Sequence, residues 1–200
     1  DLPGKLSVTL GDETQSSGYL GWSLFLYNSD REQIGKTELT QGTASVTIPE
    51  QGFDPGTFYI QVKTNAMTNV NWSGAEQYTL TADFTPTDST YESEPNDSTS
   101  RADVMLPNTP VSGKLSDESD VDYYKVTLDS AAQFSLCLEH ALPDDLSSSG
   151  TPWTVTCYPF DEKTGTLRED KAVTLDAALG KTKTESETVL VRGGTYYVEV

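Results

Sequence analysis

Two acidic stretches carry the side chains best suited to chemistry. The first, Tyr91 to Asp97 (YESEPND), holds Glu92, Glu94, Asn96 and Asp97. The second, Asp117 to Tyr124 (DESDVDYY), places Asp117, Asp120 and Asp122 just ahead of a strand-like run. Carboxylate and amide oxygens gathered in this way suit a hard cation. Calcium takes about six to eight oxygen ligands, and alternate residues of an extended segment project to the same side. The two stretches together are therefore a candidate calcium site. The same residues also fit a charged linker and a solvated turn, since Asp and Asn favour turns for local reasons.

Other chemistries find less support in the chain. His140 is the only histidine; it follows a strand-like run and is expected in solvent, with no Cys or second His to complete a zinc set. Neither a GxSxG elbow nor an HExxH pair occurs, and there is no phosphate-cradling glycine loop. Carboxylates are so abundant that their number does not single out glycosidase chemistry. The expectation is a protein that is not an enzyme. A secreted hydrolase fragment working through His140 is the rival from another class.

The elements that must position these residues follow from composition and pattern. Against 31 Asp and Glu stand 13 Lys and Arg, a net charge of −18. Such a field repels nucleic acid and anionic membrane surfaces. No run approaches the ~20 apolar residues of a membrane span, and no signal peptide opens the chain, which reads as a mature product or an excised fragment. A hydrophobic content of 35% supports compact cores, while 15 Gly and 10 Pro call for many turns.

The apolar residues alternate with period two. Leu6, Val8 and Leu10 share one face; Trp22, Leu24 and Leu26 share another, with Phe25 and Tyr27 opposite. Asn28 to Arg31 reads as a hairpin turn and Phe53 to Thr57 (FDPGT) as a second turn. Strands are expected at Ala44 to Ile48, Phe58 to Val62 and Tyr78 to Phe84, and no segment has a helical period. Thr85 to Thr90 (TPTDST) marks a linker.

The second half replays the first. LSVTL (Leu6 to Leu10) matches FSLCL (Phe134 to Leu138), WSLFLY (Trp22 to Tyr27) matches WTVTCY (Trp153 to Tyr158), and GTFYIQV (Gly56 to Val62) matches GTYYVEV (Gly194 to Val200). Two modules follow: residues 1–86, a linker at 87–91, and residues 92–200. The first is expected to lack an N-terminal portion that the second has, and the second to lack a last strand that the first has. Open edges of that kind invite strand exchange between molecules. Cys137 falls on an outward face and Cys157 on the core face, so two free thiols are expected.

The order ESEPNDS (Glu92 to Ser98), VSGKL (Val111 to Leu115), SDVDYYKVTL (Ser119 to Leu128) and GGTYYVEV (Gly193 to Val200) resembles the bacterial pre-peptidase C-terminal domain, to which the collagen-binding domains of clostridial collagenases are similar. The resemblance implies an all-β chain of tandem jelly-roll-like antiparallel β-sandwiches. It implies a calcium cofactor held by Glu92, Glu94, Asn96 and Asp97 with Asp120 and Asp122; Asp117 fits less closely because the family's acidic loop varies in length. It also implies a secreted or cell-surface bacterial protein.

The function expected is that of a non-catalytic, calcium-stabilised accessory module pair that spaces, stabilises or targets the flanking domains of a parent protein. Extracellular protein or polysaccharide is the expected partner class, and an adhesin or carbohydrate-binding repeat is the alternative. Outward aromatics, namely Phe25, Tyr27, Tyr59, Tyr158 and Tyr197, form the candidate ligand platform, although strand-surface tyrosines are also ordinary.

Overall fold

The computed structural model describes residues 2–12, 21–40, 42–64, 77–88, 90–115, 119–140, 153–177 and 180–200. Among these, regular structure is nearly all β: sixteen strands, one 3-10 turn at Glu169–Lys171, and no α-helix. No helix among them is long and apolar enough to cross a membrane. The chain divides into two compact units. Asp1–Pro95 with Ser112–Ser116 forms one, and Asn96–Val111 with Asp117–Val200 forms the other.

The first unit has strands β1 (Gly4–Asp12), β2 (Trp22–Tyr27), β3 (Gln33–Leu39), β4 (Ser45–Phe53), β5 (Tyr59–Thr64) and β6 (Tyr78–Pro86). They form two antiparallel sheets, β4-β1-β6 and β3-β2-β5. Alternation in β1 and β2 turns Leu6, Val8, Leu10, Trp22, Leu24 and Leu26 into one core with Leu39, Ile48 and Phe53. Each large apolar side chain fully buried in this way contributes about 1.5–3 kcal/mol. On the opposite face of β2, Phe25 and Tyr27 stack with ring centroids 6.2 Å apart.

Local chemistry explains the joints of this unit. Asn28 Oδ1 accepts hydrogen bonds from the N–H groups of Asp30 and Glu32, closing the β2–β3 turn, and Arg31 takes a left-handed φ of 64°. Gly35 lies where β3 approaches β4: a Cβ there would come within 2.8 Å of Ile48 Cγ2. Strand β6 runs on to Pro86, so Thr85 and Pro86, expected in the linker, extend the sheet. Proline is tolerated there because it ends an edge strand.

The second unit has β7 (Asp103–Val104), β8 (Tyr123–Leu128), β9 (Ala132–Phe134), β10 (Cys137–Glu139), β11 (Thr154–Asp161), β12 (Thr166–Leu167), β13 (Val173–Asp176), β14 (Lys183–Glu185), β15 (Val189–Val191) and β16 (Gly194–Glu199). One sheet runs β12-β11-β16-β8-β7, with β13 also on β11. Strands β9 and β10 pair with β15 and β14. Tyr124, Val126, Leu136, Val155, Cys157, Leu175, Tyr196 and Val198 form the core.

The internal repeat survives as a register. In the first unit Leu26 stands opposite Ile60 and Tyr27 opposite Tyr59; in the second, Cys157 stands opposite Val198 and Tyr158 opposite Tyr197. The other ladder agrees as well. Leu6 pairs with Gln51 and Leu10 with Val46, while the matching Phe134 pairs with Val189 and Leu138 with Thr184.

Even the irregularity recurs. Strand β1 slips between Leu6 and Val8, and β9 gives way to β10 between Phe134 and Cys137, where Leu136 N donates to Ser186 Oγ at 2.9 Å. Four strands break the correspondence. Strand β6 lies beside β1, β8 beside β16, β7 beside β8 and β12 beside β11, and none of these four has a counterpart among the described residues of the other unit.

Candidate metal centre

The second unit builds its acidic site from backbone bonds. The Asn96 carbonyl accepts hydrogen bonds from Ser98 N at 2.8 Å and from Tyr123 N at 3.0 Å, which fixes the turn at 96–98 against the first residue of β8. Immediately upstream, Asp122 and Val200 exchange two backbone hydrogen bonds of 3.2 and 3.0 Å, holding the approach to β8 along the end of β16. Strand β7 then runs parallel to β8, with Asp103 opposite Tyr124. The consequence is that Asp97 and Asp120, 23 positions apart in the chain, present carboxylate oxygens within 4.8 Å of each other.

These are two hard, anionic oxygen donors whose mutual repulsion a divalent cation would relieve. The donor set therefore fits calcium or magnesium and does not suit a soft metal. Asp97 is exposed and Asp120 half-buried. Asn96 is fully buried and Asp122 is 2% exposed, so neither is open to solvent as Asp97 is. Asp117 lies outside the described residues.

Glu92 and Glu94 belong to the first unit. There, Tyr91 forms a parallel bridge with Ser112, and Glu92 N donates to Ser112 O at 2.9 Å. The Glu92 side chain is 2% exposed, and its Oε1 accepts from Lys114 N at 2.6 Å. Glu94 N donates to Gly52 O at 2.8 Å, and Ser93 Oγ accepts from Asp54 N at 2.7 Å. Gly52 admits this segment because a Cβ there would overlap the Glu92 carbonyl. Glu94 precedes Asp97 by three positions in sequence. Sequence reasoning did not anticipate the Glu92–Lys114 bond, since a backbone N–H leaves no mark in residue types.

The candidate aromatic platform divides by exposure. Tyr59 is 47% exposed, and Phe25, Tyr27 and Tyr158 are half-buried. Lys36 and Lys63 place their ammonium groups 5.8 and 5.1 Å from the Phe25 ring centroid. Tyr197 is only 7% exposed, because Phe160, two residues beyond Tyr158 on the same face of β11, packs edge-on against it at 5.3 Å. His140, expected in solvent, is half-buried with its ring 6.2 Å from Trp153.

Cys137 is exposed and Cys157 buried, and both are free. Burial pushes the Cys157 thiol up to about 12. On the outer face of the β8–β16 ladder, Tyr123 donates its hydroxyl hydrogen bond to Glu199 at 2.6 Å. Burial, reinforced by that carboxylate, raises the Tyr123 phenol to about 12. No family model, curated protein or solved structure matches the chain.

Proposed function

We propose that the chain is a pair of jelly-roll-like sandwich modules of the pre-peptidase C-terminal type, non-catalytic, belonging to a secreted or cell-surface bacterial protein. Their role is accessory: spacing, stabilising or targeting the domains that flank them, with an extracellular protein or polysaccharide as partner. Calcium serves this role as a structural ion. Asp97 and Asp120 hold it, and Asn96 and Asp122 fix the two backbone turns that carry the pair.

One observation carries the reading: the Asn96 carbonyl is bonded to Tyr123 N, and this contact brings Asp97 to Asp120. The motif order quoted above supports the family assignment, and the shared register of the two units supports their being copies of one module. The ion supplies no reaction step. It neutralises repulsion between carboxylates and ties the segment at 96–98 to the start of β8.

Thermal melting with calcium and with chelator tests the proposal. A ligand bound only by the folded state adds about 2.7 kcal/mol at a hundredfold excess over its dissociation constant. The melting temperature should rise with calcium in the native chain and stay unchanged in Asp120→Ala. A native melting curve indifferent to calcium and chelator rejects the ion.

A further inference from the structure

We propose that the outer face of sheet β3-β2-β5 binds an acidic polysaccharide, a chain of pyranose rings bearing carboxylates, through the Phe25–Tyr27 stack and the ammonium groups of Lys36 and Lys63. This rests on the accessory, targeting role given above and narrows its partner to one class. Along β2, Leu24 and Leu26 enter the first unit's core, and Phe25 and Tyr27 stand on the other side with their rings 24° apart and their centroids separated by 6.2 Å. Lys36 of β3 and Lys63 of β5, the strands on either side of β2, bring their ammonium groups 5.8 and 5.1 Å from the Phe25 centroid. The Tyr27 hydroxyl donates to Gln61 Oε1 at 3.2 Å, which leaves the Gln61 amide as a donor on the same face.

The second unit keeps the register and changes the chemistry. Phe25, with Lys36 and Gln61 opposite it, is matched by Thr156, with Thr174 and Glu199 opposite. The acid next along the ladder is common to both units: Glu38 lies opposite Ser23, as Asp176 lies opposite Thr154. Where the second unit has two threonines and a glutamate, the first has an aromatic ring, a cation and an amide, all on the side away from the core. The outer sides of β2, β3 and β5 carry two cations, Lys36 and Lys63, against the single carboxylate of Glu38, in a chain with 13 basic and 31 acidic residues. Glu38 holds Lys36 at 2.9 Å, whereas Lys63 has no carboxylate partner among the described residues.

A pyranose ring presents C–H groups from its faces and its carboxylate and hydroxyls from its rim. On this surface the aromatic rings meet the C–H groups, and the lysines on either flank meet the rim, where a carboxylate forms charge-assisted bonds. An acidic peptide offers the carboxylates without the flat apolar face. At physiological salt, charges more than about 8 Å away are largely screened. Carboxylates on this face therefore meet Lys36 and Lys63 ahead of the chain's excess acid.

Calorimetric titration of the full 200-residue chain with polygalacturonate, alginate and hyaluronan is the test, run in chelator so that calcium cannot bridge carboxylates. At least one polymer should bind. Lys63→Gln, at an exposed position, should weaken that binding about tenfold, as expected for the loss of one hydrogen bond to a charged group. Glu38→Gln should strengthen it by removing the competing carboxylate, and Phe25→Thr, which installs the side chain of the second unit, should abolish it. Failure of all three polymers to bind overturns the proposal. So does binding that Phe25→Thr leaves intact, which assigns the face to charge alone, and so does equal binding of polyglutamate, which assigns it to an acidic peptide. A chain that binds no polymer but still melts higher in calcium rejects this partner and leaves the calcium-stabilised accessory role standing.

Discussion

Tyr158 stands opposite Tyr197 across the β11–β16 ladder, in the register that Tyr27 and Tyr59 adopt across β2 and β5. The two pairs share position but not environment. Phe160 closes over Tyr197, while Tyr59 stays 47% exposed. A register is set by backbone ladders and by which face is apolar, so it survives duplication; burial depends on the neighbouring strand and does not. The exposure of Tyr59 and the burial of Tyr197 thus differ although their registers agree.

The carboxylate pair makes a prediction with two opposite signs. Asp97 is exposed and lies within 4.8 Å of Asp120 at the carboxylate oxygens. Removing its charge relieves repulsion when no ion is bound and removes a ligand when one is. Asp97→Asn should therefore melt no lower than the native chain in chelator, and clearly below it in saturating calcium. Calorimetry of both chains in both buffers checks this; equal calcium increments in the two chains would assign the pair no ion.

Glu92 is predicted to act as a strut within the first unit. Its buried carboxylate accepts the Lys114 N–H, and Glu92→Ala would leave that donor without its acceptor. Loss of a hydrogen bond to a charged group, with a partner stranded, costs about 1–3 kcal/mol. Glu92→Gln keeps an acceptor of the same length and should lose less. Denaturant unfolding of the two variants in chelator should show that order, and the calcium increment should persist in Glu92→Ala. An abolished increment would make Glu92 a ligand.

How much of this could be read in the residues varies with the physics at each place. Alternation exposed β2 because Trp22, Leu24 and Leu26 pack on one side of a two-sided strand. Strand β3 (QIGKTEL) was hidden, since Gly35 and charged neighbours interrupt its pattern, and the glycine is explained only by Ile48 across the core. The acidic stretches stood out by composition. Their division into a paired Asp97 and Asp120, a buried Asn96 and a Glu92 bonded to backbone depends on contacts over 20 or more positions, which residue types do not record.

The two cysteines should react at different rates. Cys137 is exposed, whereas Cys157 is 2% exposed, with its thiol pushed up to about 12 by burial. The thiolate is the reactive form. At pH 8 it is about one part in ten thousand at such a site by the usual titration relation. Native chain treated with iodoacetamide should gain one adduct, at Cys137, and the second only on unfolding. Mass spectrometry after brief labelling reads this directly, and prompt double labelling of the folded chain would contradict the buried placement.

Alkaline stability tests the Tyr123–Glu199 bond. Burial first, and the Glu199 carboxylate second, raise the Tyr123 phenol from 10.0 to about 12. Tyr158 and Tyr196 are also shifted upward, chiefly by burial. A group whose folded value lies above its unfolded value contributes its full stability below the unfolded value. For Tyr123 the contribution is whole below pH 10 and is lost as pH rises through about 12. Above pH 10 the unfolded chain releases the proton while the fold retains it, so the unfolded state gains.

Tyr123→Phe removes this difference but leaves those of Tyr158 and Tyr196. Its stability should thus fall less steeply between pH 10 and 12 than that of the native chain, without becoming flat. Urea unfolding at closely spaced pH values gives the two slopes. Parallel slopes would mean that the phenol ionises as readily in the fold as in the unfolded chain, and that the 2.6 Å bond to Glu199 does not hold its proton.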